Sequence, residues 1–199
     1  MKLETRFTTN DILVRSGENK EVLIYGYAAL YNNRSKLLIE GGKTFYEIIR
    51  NGAFIEGLAN SRDIIMSLDH DRYKLLARTK SGTLILRSDE KGLYFEFNIP
   101  DTTLGRDTLT MIESGDISEL SFAFYLRNID FEWSRLSDGT LLREITNFKS
   151  LKDVSLLQTD AAYNNTDVVV DAREYEEIER KLNSNLDDYY IQLKNNFYN

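Results

Sequence analysis

The 199-residue chain has no cysteine, a single histidine and no apolar run near the roughly 20 residues that a membrane-spanning helix needs. Each absence closes off some chemistry. Without thiols there are no disulfides, no thiol nucleophile and no thiolate metal site. One histidine leaves any zinc site to carboxylates, a poor match to the nitrogen and sulfur ligands zinc prefers. A hard-cation site built from Asp and Glu stays open, although no stretch resembles a calcium loop. Lysine and arginine number 25 against 32 acidic residues, a net charge of −7, so the basic footprint that neutralises nucleic-acid phosphates is missing. The amino terminus carries no signal-peptide pattern. The sequence thus predicts an intracellular protein with no cofactor, no metal, no nucleic-acid partner and no membrane association.

What is present suffices for a packed core. Hydrophobic residues make up 42% of the chain, with ten Phe and twelve Tyr, and there is no internal repeat. The first twenty residues are polar and mixed in sign, which predicts a loose lead-in. "EVLIYGYAALYNN" (21–33) reads as a strand, and "YEIIRNGAFIEGLANS" as a strand, a turn at Asn51-Gly52 and a short helix. In "TLILRSDEKGLYFEFNIP" the residues Leu93, Phe95, Phe97 and Ile99 alternate with Tyr94, Glu96 and Asn98, the period of a half-buried strand, and "SDEKG" turns it into a hairpin. After Pro100 a helix is capped at Asp101–Thr103 and ended by Gly115. Strands resume in "ELSFAFYLRNIDFEW" and "LLREITNFKSLKDVSLLQ", joined across "LSDGT". From Asp171 onward Tyr175, Ile178, Leu182, Leu186, Tyr190 and Leu193 recur at helical steps, which predicts an amphipathic carboxy-terminal helix. Many short strands and few helices predict a mainly β, α+β fold: a closed or nearly closed β-barrel surrounded by a few helices.

The only histidine, His70, ends the apolar run "DIIMSLDH". Near neutral pH imidazole is the conventional base for a serine hydroxyl, so any Ser–His chemistry runs through it. Among the serines, Ser121 in "ELSFAFYL" stands apart. On an extended strand Leu120, Phe122, Phe124 and Leu126 share one face, leaving Ser121 on the other with small Ala123 beside it and room for a substrate. Ser81, Ser88, Ser114 and Ser137 sit next to turn residues, where serine commonly caps or turns the chain. A third group has to orient the imidazole, and Asp153 in "SLKDVSLLQ" is a carboxylate against an apolar strand, with Asp69, Asp71 and Glu144 as competitors. Lone histidines and strand serines are most often structural, and Asp153 also fits a water-facing strand edge. From the residues alone these readings stay open.

The order of several segments adds a resemblance. "GYAALYN", "YEIIRNGAF", "LDHD", "ARTKSGTLILRSDEKGLYFEFNIPDT", "IESGDISELSFAF" and "LKDVSLL" follow one another as motifs do in the prohead (capsid maturation) proteases of tailed phages, a family similar in fold to the herpesvirus assembly proteases. The likeness runs from about Tyr25 to Val168, and its most specific pieces are "RTKSGTL…D…GL" and "GDIS..SF.F". Departures include Glu119 and Ala123, where the family often has glycine, "NGAF" for "PGAF", "ART" for "GRT" and "DAAYNNTDV" for a segment that often reads "PAY".

The resemblance implies that His70 is the general base, Ser121 the nucleophile and Asp153 the third member, at a position where many relatives have Glu and the herpesvirus enzymes a second histidine. It implies oxyanion donors among backbone amides near Ser121 or in the Asp160–Asn164 loop. It further implies a serine endopeptidase domain over 21–170 with the helix of 171–199 as a tail that targets it to the shell, pairs with scaffold or packs on its own barrel. Such an enzyme works in the host cytoplasm inside the assembling procapsid, cutting scaffold protein, the amino-terminal scaffold-like region of the major capsid protein, and itself; a homodimer accords with the herpesvirus likeness. Two rivals are a catalytically inactive capsid-assembly protein of the same fold and a hydrolase using Asp and Glu pairs with His70 structural.

Overall fold

The computed structural model describes residues 3–8, 12–16 and 22–158. Leu3–Thr8 (β1) and Ile12–Ser16 (β2) come first, then Val22–Leu30 (β3), Leu38–Glu40 (β4) and Lys43–Ile49 (β5). The helix Phe54–Asn60 (α1) precedes Ile65–Leu68 (β6), Asp71–Arg78 (β7), a 3-10 turn at Thr79–Ser81, Leu84–Ser88 (β8) and Gly92–Asn98 (β9). The helix Thr103–Ser114 (α2) leads into Glu119–Tyr125 (β10), Phe131–Arg135 (β11), Leu141–Ile145 (β12) and Ser150–Leu157 (β13). The fold is mainly β, of the α+β class, with two α-helices among the described residues.

Local signals account for the individual elements. In β9 Leu93, Phe95 and Phe97 are buried while Asn98 is exposed, and the hairpin to β8 forms across residues 89–91 as its turn chemistry predicts. The hydroxyl of Thr102 accepts the Gly105 amide at 3.0 Å and so caps α2, and Gly115 ends that helix at a φ of 84° that favours glycine.

The strands assemble into three sheets rather than one. Five strands run in the order β1-β10-β13-β6-β7, four in the order β11-β12-β5-β4 and four in the order β2-β3-β9-β8. The expected closed or nearly closed barrel is therefore corrected: among the described residues no ladder joins one sheet's edge to another's. A period-two pattern marks which face of a strand is buried but not which edges meet, and here side-chain packing joins the sheets. At the junction Phe54 of α1 stacks on Phe148 at 4.5 Å between ring centres, and Phe148 meets the Phe124 ring edge-on at 4.8 Å. Phe122 lies 5.7 Å from Phe54. Each such pair adds roughly 1 kcal/mol beyond its buried area, so β10 sits on a stiff aromatic bed.

The amino-terminal segment differs from the loose lead-in its polarity suggests. Residues 3–8 form β1, antiparallel to β10 and at the edge of its sheet. Glu4 and Arg6 there are paired, not solvated. Arg6 donates to Glu47 at 2.7 Å and to Glu4 at 2.8 Å, and Arg143 donates to Glu47 and Glu4 at 2.6 Å each. Burial opposes the Arg6 charge, but Glu47, Glu4 and Glu40 outweigh it and hold its pKa above the usual arginine value. This cluster ties β1 to β5 and β12 across two sheets, and a run of alternating charges gave no hint of it. The helix expected over 171–199 lies outside the described residues, and no described helix is long and apolar enough to cross a membrane.

Since Glu47 is 3% exposed and answers two arginines, its removal strands both charges. Urea unfolding of Glu47→Ala should show a loss of about 3 kcal/mol. A loss below about 1 kcal/mol would place the cluster with ordinary surface pairs.

Candidate active site

The site is built on adjacent strands whose register can be read directly. In the antiparallel β10–β13 pair Ser121 lies opposite Ser155, and two residues on Ala123 lies opposite Asp153. In the parallel β13–β6 pair Ser155 is in register with Ser67. Paired residues in a sheet share a face, so Ser121, Ser155, Ser67 and Asp153 form one polar patch inside an apolar body. The other face of β10 carries Leu120, Phe122 and Phe124, all buried. The space beside small Ala123 is that of Asp153.

His70 joins this patch from the turn between β6 and β7. Asp69 and His70 both take left-handed backbone, with φ of 51° and 57°. That conformation costs an ordinary residue roughly 1 kcal/mol, and consecutive residues adopt it only where neighbours hold them. Here β13 supplies the hold. The Asp69 amide donates to the Leu156 carbonyl at 2.9 Å, the His70 amide to the Ser155 hydroxyl at 2.7 Å, and the Gln158 amide to the Asp69 carboxylate at 2.9 Å.

The held turn lays the imidazole between a carboxylate and a hydroxyl. Nδ1 of His70 is 2.6 Å from Oδ1 of Asp153, and Nε2 is 2.6 Å from Oγ of Ser121. An ionised carboxylate only accepts, so Nδ1 carries the proton and Nε2 is left to accept from the serine O–H. Asp153 is 2% exposed, Ser121 has no exposed surface, and the imidazole is about a quarter exposed. Of the charged groups near Asp153, Lys152 stands 3.9 Å from its other oxygen. A hydroxyl, a base and a buried acid in this line are the parts needed to generate an alkoxide nucleophile and to hold the imidazolium that forms.

The competing acids are engaged elsewhere. Glu144 on β12 pairs with Arg50, and Asp71 accepts the Tyr73 amide at 2.9 Å. Asp69 serves the turn itself and faces Lys74 at 3.5 Å. The Asp160–Asn164 loop lies outside the described residues. Among the described residues no group of three or more His, Asp or Glu side chains is placed to hold a metal ion.

The model of one protein family, the caudovirus prohead serine proteases, matches residues 10–181. The chain belongs to this family. Its structure is similar to that of the bacteriophage T4 capsid assembly protease gp21 over 80% of this chain and 99% of that one, at 9% identity and a TM-score of 0.41, a likeness too distant to carry any residue's role. No curated protein matches the chain. Membership makes this prohead protease a serine protease of phage capsid maturation.

Ser155, Ser67 and the backbone service of Asp69 were not found from sequence. The available signal was weak: both serines interrupt apolar runs, "IIMSL" and "DVSLL", where a buried hydroxyl needs a partner.

The single histidine makes the proton placement measurable. In ¹⁵N-labelled protein, at a pH high enough to leave the one imidazole neutral, the ring should show a protonated Nδ1, with its hydrogen far downfield, and an unprotonated Nε2. Asp153→Ala should remove the downfield signal. An Nε2-protonated ring in the unaltered protein would contradict the arrangement.

Proposed function

We propose that this prohead protease is an active serine endopeptidase with Ser121 as nucleophile, His70 as general base and Asp153 as the acid that orients and stabilises the imidazole. The observation that carries the reading is the unbroken hydrogen-bond chain from Asp153 through His70 to Ser121, with both links at 2.6 Å. Oγ of Ser121 attacks a peptide carbonyl while Nε2 takes its proton, giving a tetrahedral oxyanion. His70 then returns that proton to the leaving amine as the C–N bond breaks. Water, deprotonated by His70, attacks the acyl-serine and restores the hydroxyl.

The substrates we assign are scaffold protein, the amino-terminal scaffold-like region of the major capsid protein, and the protease chain itself, cut inside the assembling procapsid in the host cytoplasm. Family membership supports the setting. The inactive-assembly reading fares worse because a structural descendant has no use for the aligned carboxylate, imidazole and hydroxyl, whose burial costs stability.

Co-production with the capsid and scaffold proteins, read by intact mass, tests this. Discrete truncations should appear with the unaltered chain and vanish with Ser121→Ala. Asp153→Asn, which cannot hold the Nδ1–H tautomer in the same way, should cut the rate by roughly 10⁴-fold. Glu144→Gln should leave it within about twofold, since Glu144 pairs with Arg50 instead. Truncation that survives Ser121→Ala would mean another nucleophile. Assembled shells with no truncation under any variant would mean a structural protein.

A further inference from the structure

Proton accounting around Ser155 leaves no freedom in its role. Its O–H donates to the Ser67 carbonyl at 3.0 Å. With that proton committed, the oxygen can only accept from the His70 amide at 2.7 Å and from the Ser67 hydroxyl at 3.2 Å. All three hydrogen-bonding capacities are filled, and both serines are fully buried. The hydroxyl is therefore a fixed acceptor, built into β13 two residues from Asp153 and facing the one amide whose residue has φ of 57°.

We propose that Ser155 is a positioning residue: its hydroxyl fixes the left-handed backbone of His70 and so holds the imidazole between Asp153 and Ser121. The inference rests on the reading of those three as the catalytic set. Without this acceptor the hydrogen bond that ties the His70 amide to β13 is lost, and the turn relaxes toward ordinary φ. The ring then moves with its Cα. A displacement of about 1 Å is enough to cost roughly a hundredfold in such a reaction.

The test compares Ser155→Ala with Ser67→Ala in the full chain. Ser67→Ala keeps the carbonyl that Ser155 needs and removes only one surplus donor. Two readouts are used. One is the downfield Nδ1–H signal of the sole histidine. The other is inactivation by an alkyl fluorophosphonate, in which Oγ of Ser121 bonds to phosphorus, fluoride leaves and His70 takes the proton.

For Ser155→Ala we expect the signal to disappear or move and the maximal inactivation rate to fall about a hundredfold, with the half-saturating probe concentration unchanged. Ser67→Ala should keep the signal and a rate within about threefold. A Ser155→Ala protein that keeps both signal and rate overturns the proposal, as does an equal loss from Ser67→Ala, which would indicate packing rather than the amide contact. Should Ser155→Ala not fold, Ser155→Cys takes its place with the same two outcomes, since sulfur fills the space but accepts weakly. If unaltered protein shows the signal yet takes no probe, the catalytic reading fails, while the signal still decides whether Ser155 positions the ring.

Discussion

The hydrogen-bond ladder between β10 and β13 sets Ser121 opposite Ser155 and Ala123 opposite Asp153, and the rest of the candidate site follows from that register. A slip of one residue between the two strands would put Ser121 and Asp153 on different faces, one of them in the space of the buried apolar side chains. Burying a carboxylate there without a partner costs several kcal/mol, so the apolar pattern of the strands and the polar patch specify the same register. The parallel β13–β6 pair extends it to Ser67 and delivers the turn that carries His70. Site and core are thus two faces of one sheet, and neither can shift alone.

That sheet is held from its other edge as well. β1 covers the outer side of β10, and its Glu4 and Arg6 reach Glu47 and Arg143 in the second sheet. Ionic contacts of this kind are poor sources of net stability but costly to break. They act here as a directional joint between sheets that share no backbone ladder among the described residues. The Arg6 guanidinium also lies 5.4 Å over the Phe124 ring, so the joint presses on the same aromatic bed that supports Ser121.

Much of this was legible in the sequence where the signal is local. The β8–β9 hairpin, the helix cap at Thr102, the strand before His70 and the isolation of Ser121 on a polar face all depend on neighbours within a few residues. The choice of Asp153 over Asp69, Asp71 and Glu144 was not legible without family likeness, because it depends on a parallel pairing between segments about ninety residues apart. The number and closure of sheets failed for a related reason: edge pairing leaves no period in the chain. The use of Glu4 and Arg6 failed because alternating charges look the same whether solvated or buried. Ser155 was in plain view within "DVSLL", yet a strand serine declares its partner only when the turn that needs it is folded against it.

An aspartate at position 153 also becomes intelligible from the clamp on His70. A glutamate would extend the carboxylate by about 1.5 Å and would suit an imidazole held farther from the sheet. In this chain three hydrogen bonds to β13 and its continuation draw Asp69 and His70 down onto the strand that bears the acid. The shorter side chain then meets Nδ1 at 2.6 Å with small Ala123 as its cross-strand neighbour. Fewer rotatable bonds also mean less entropy lost in fixing the carboxylate. A close-held turn and a short acid suit one another, so a change in either alters the demand on the other.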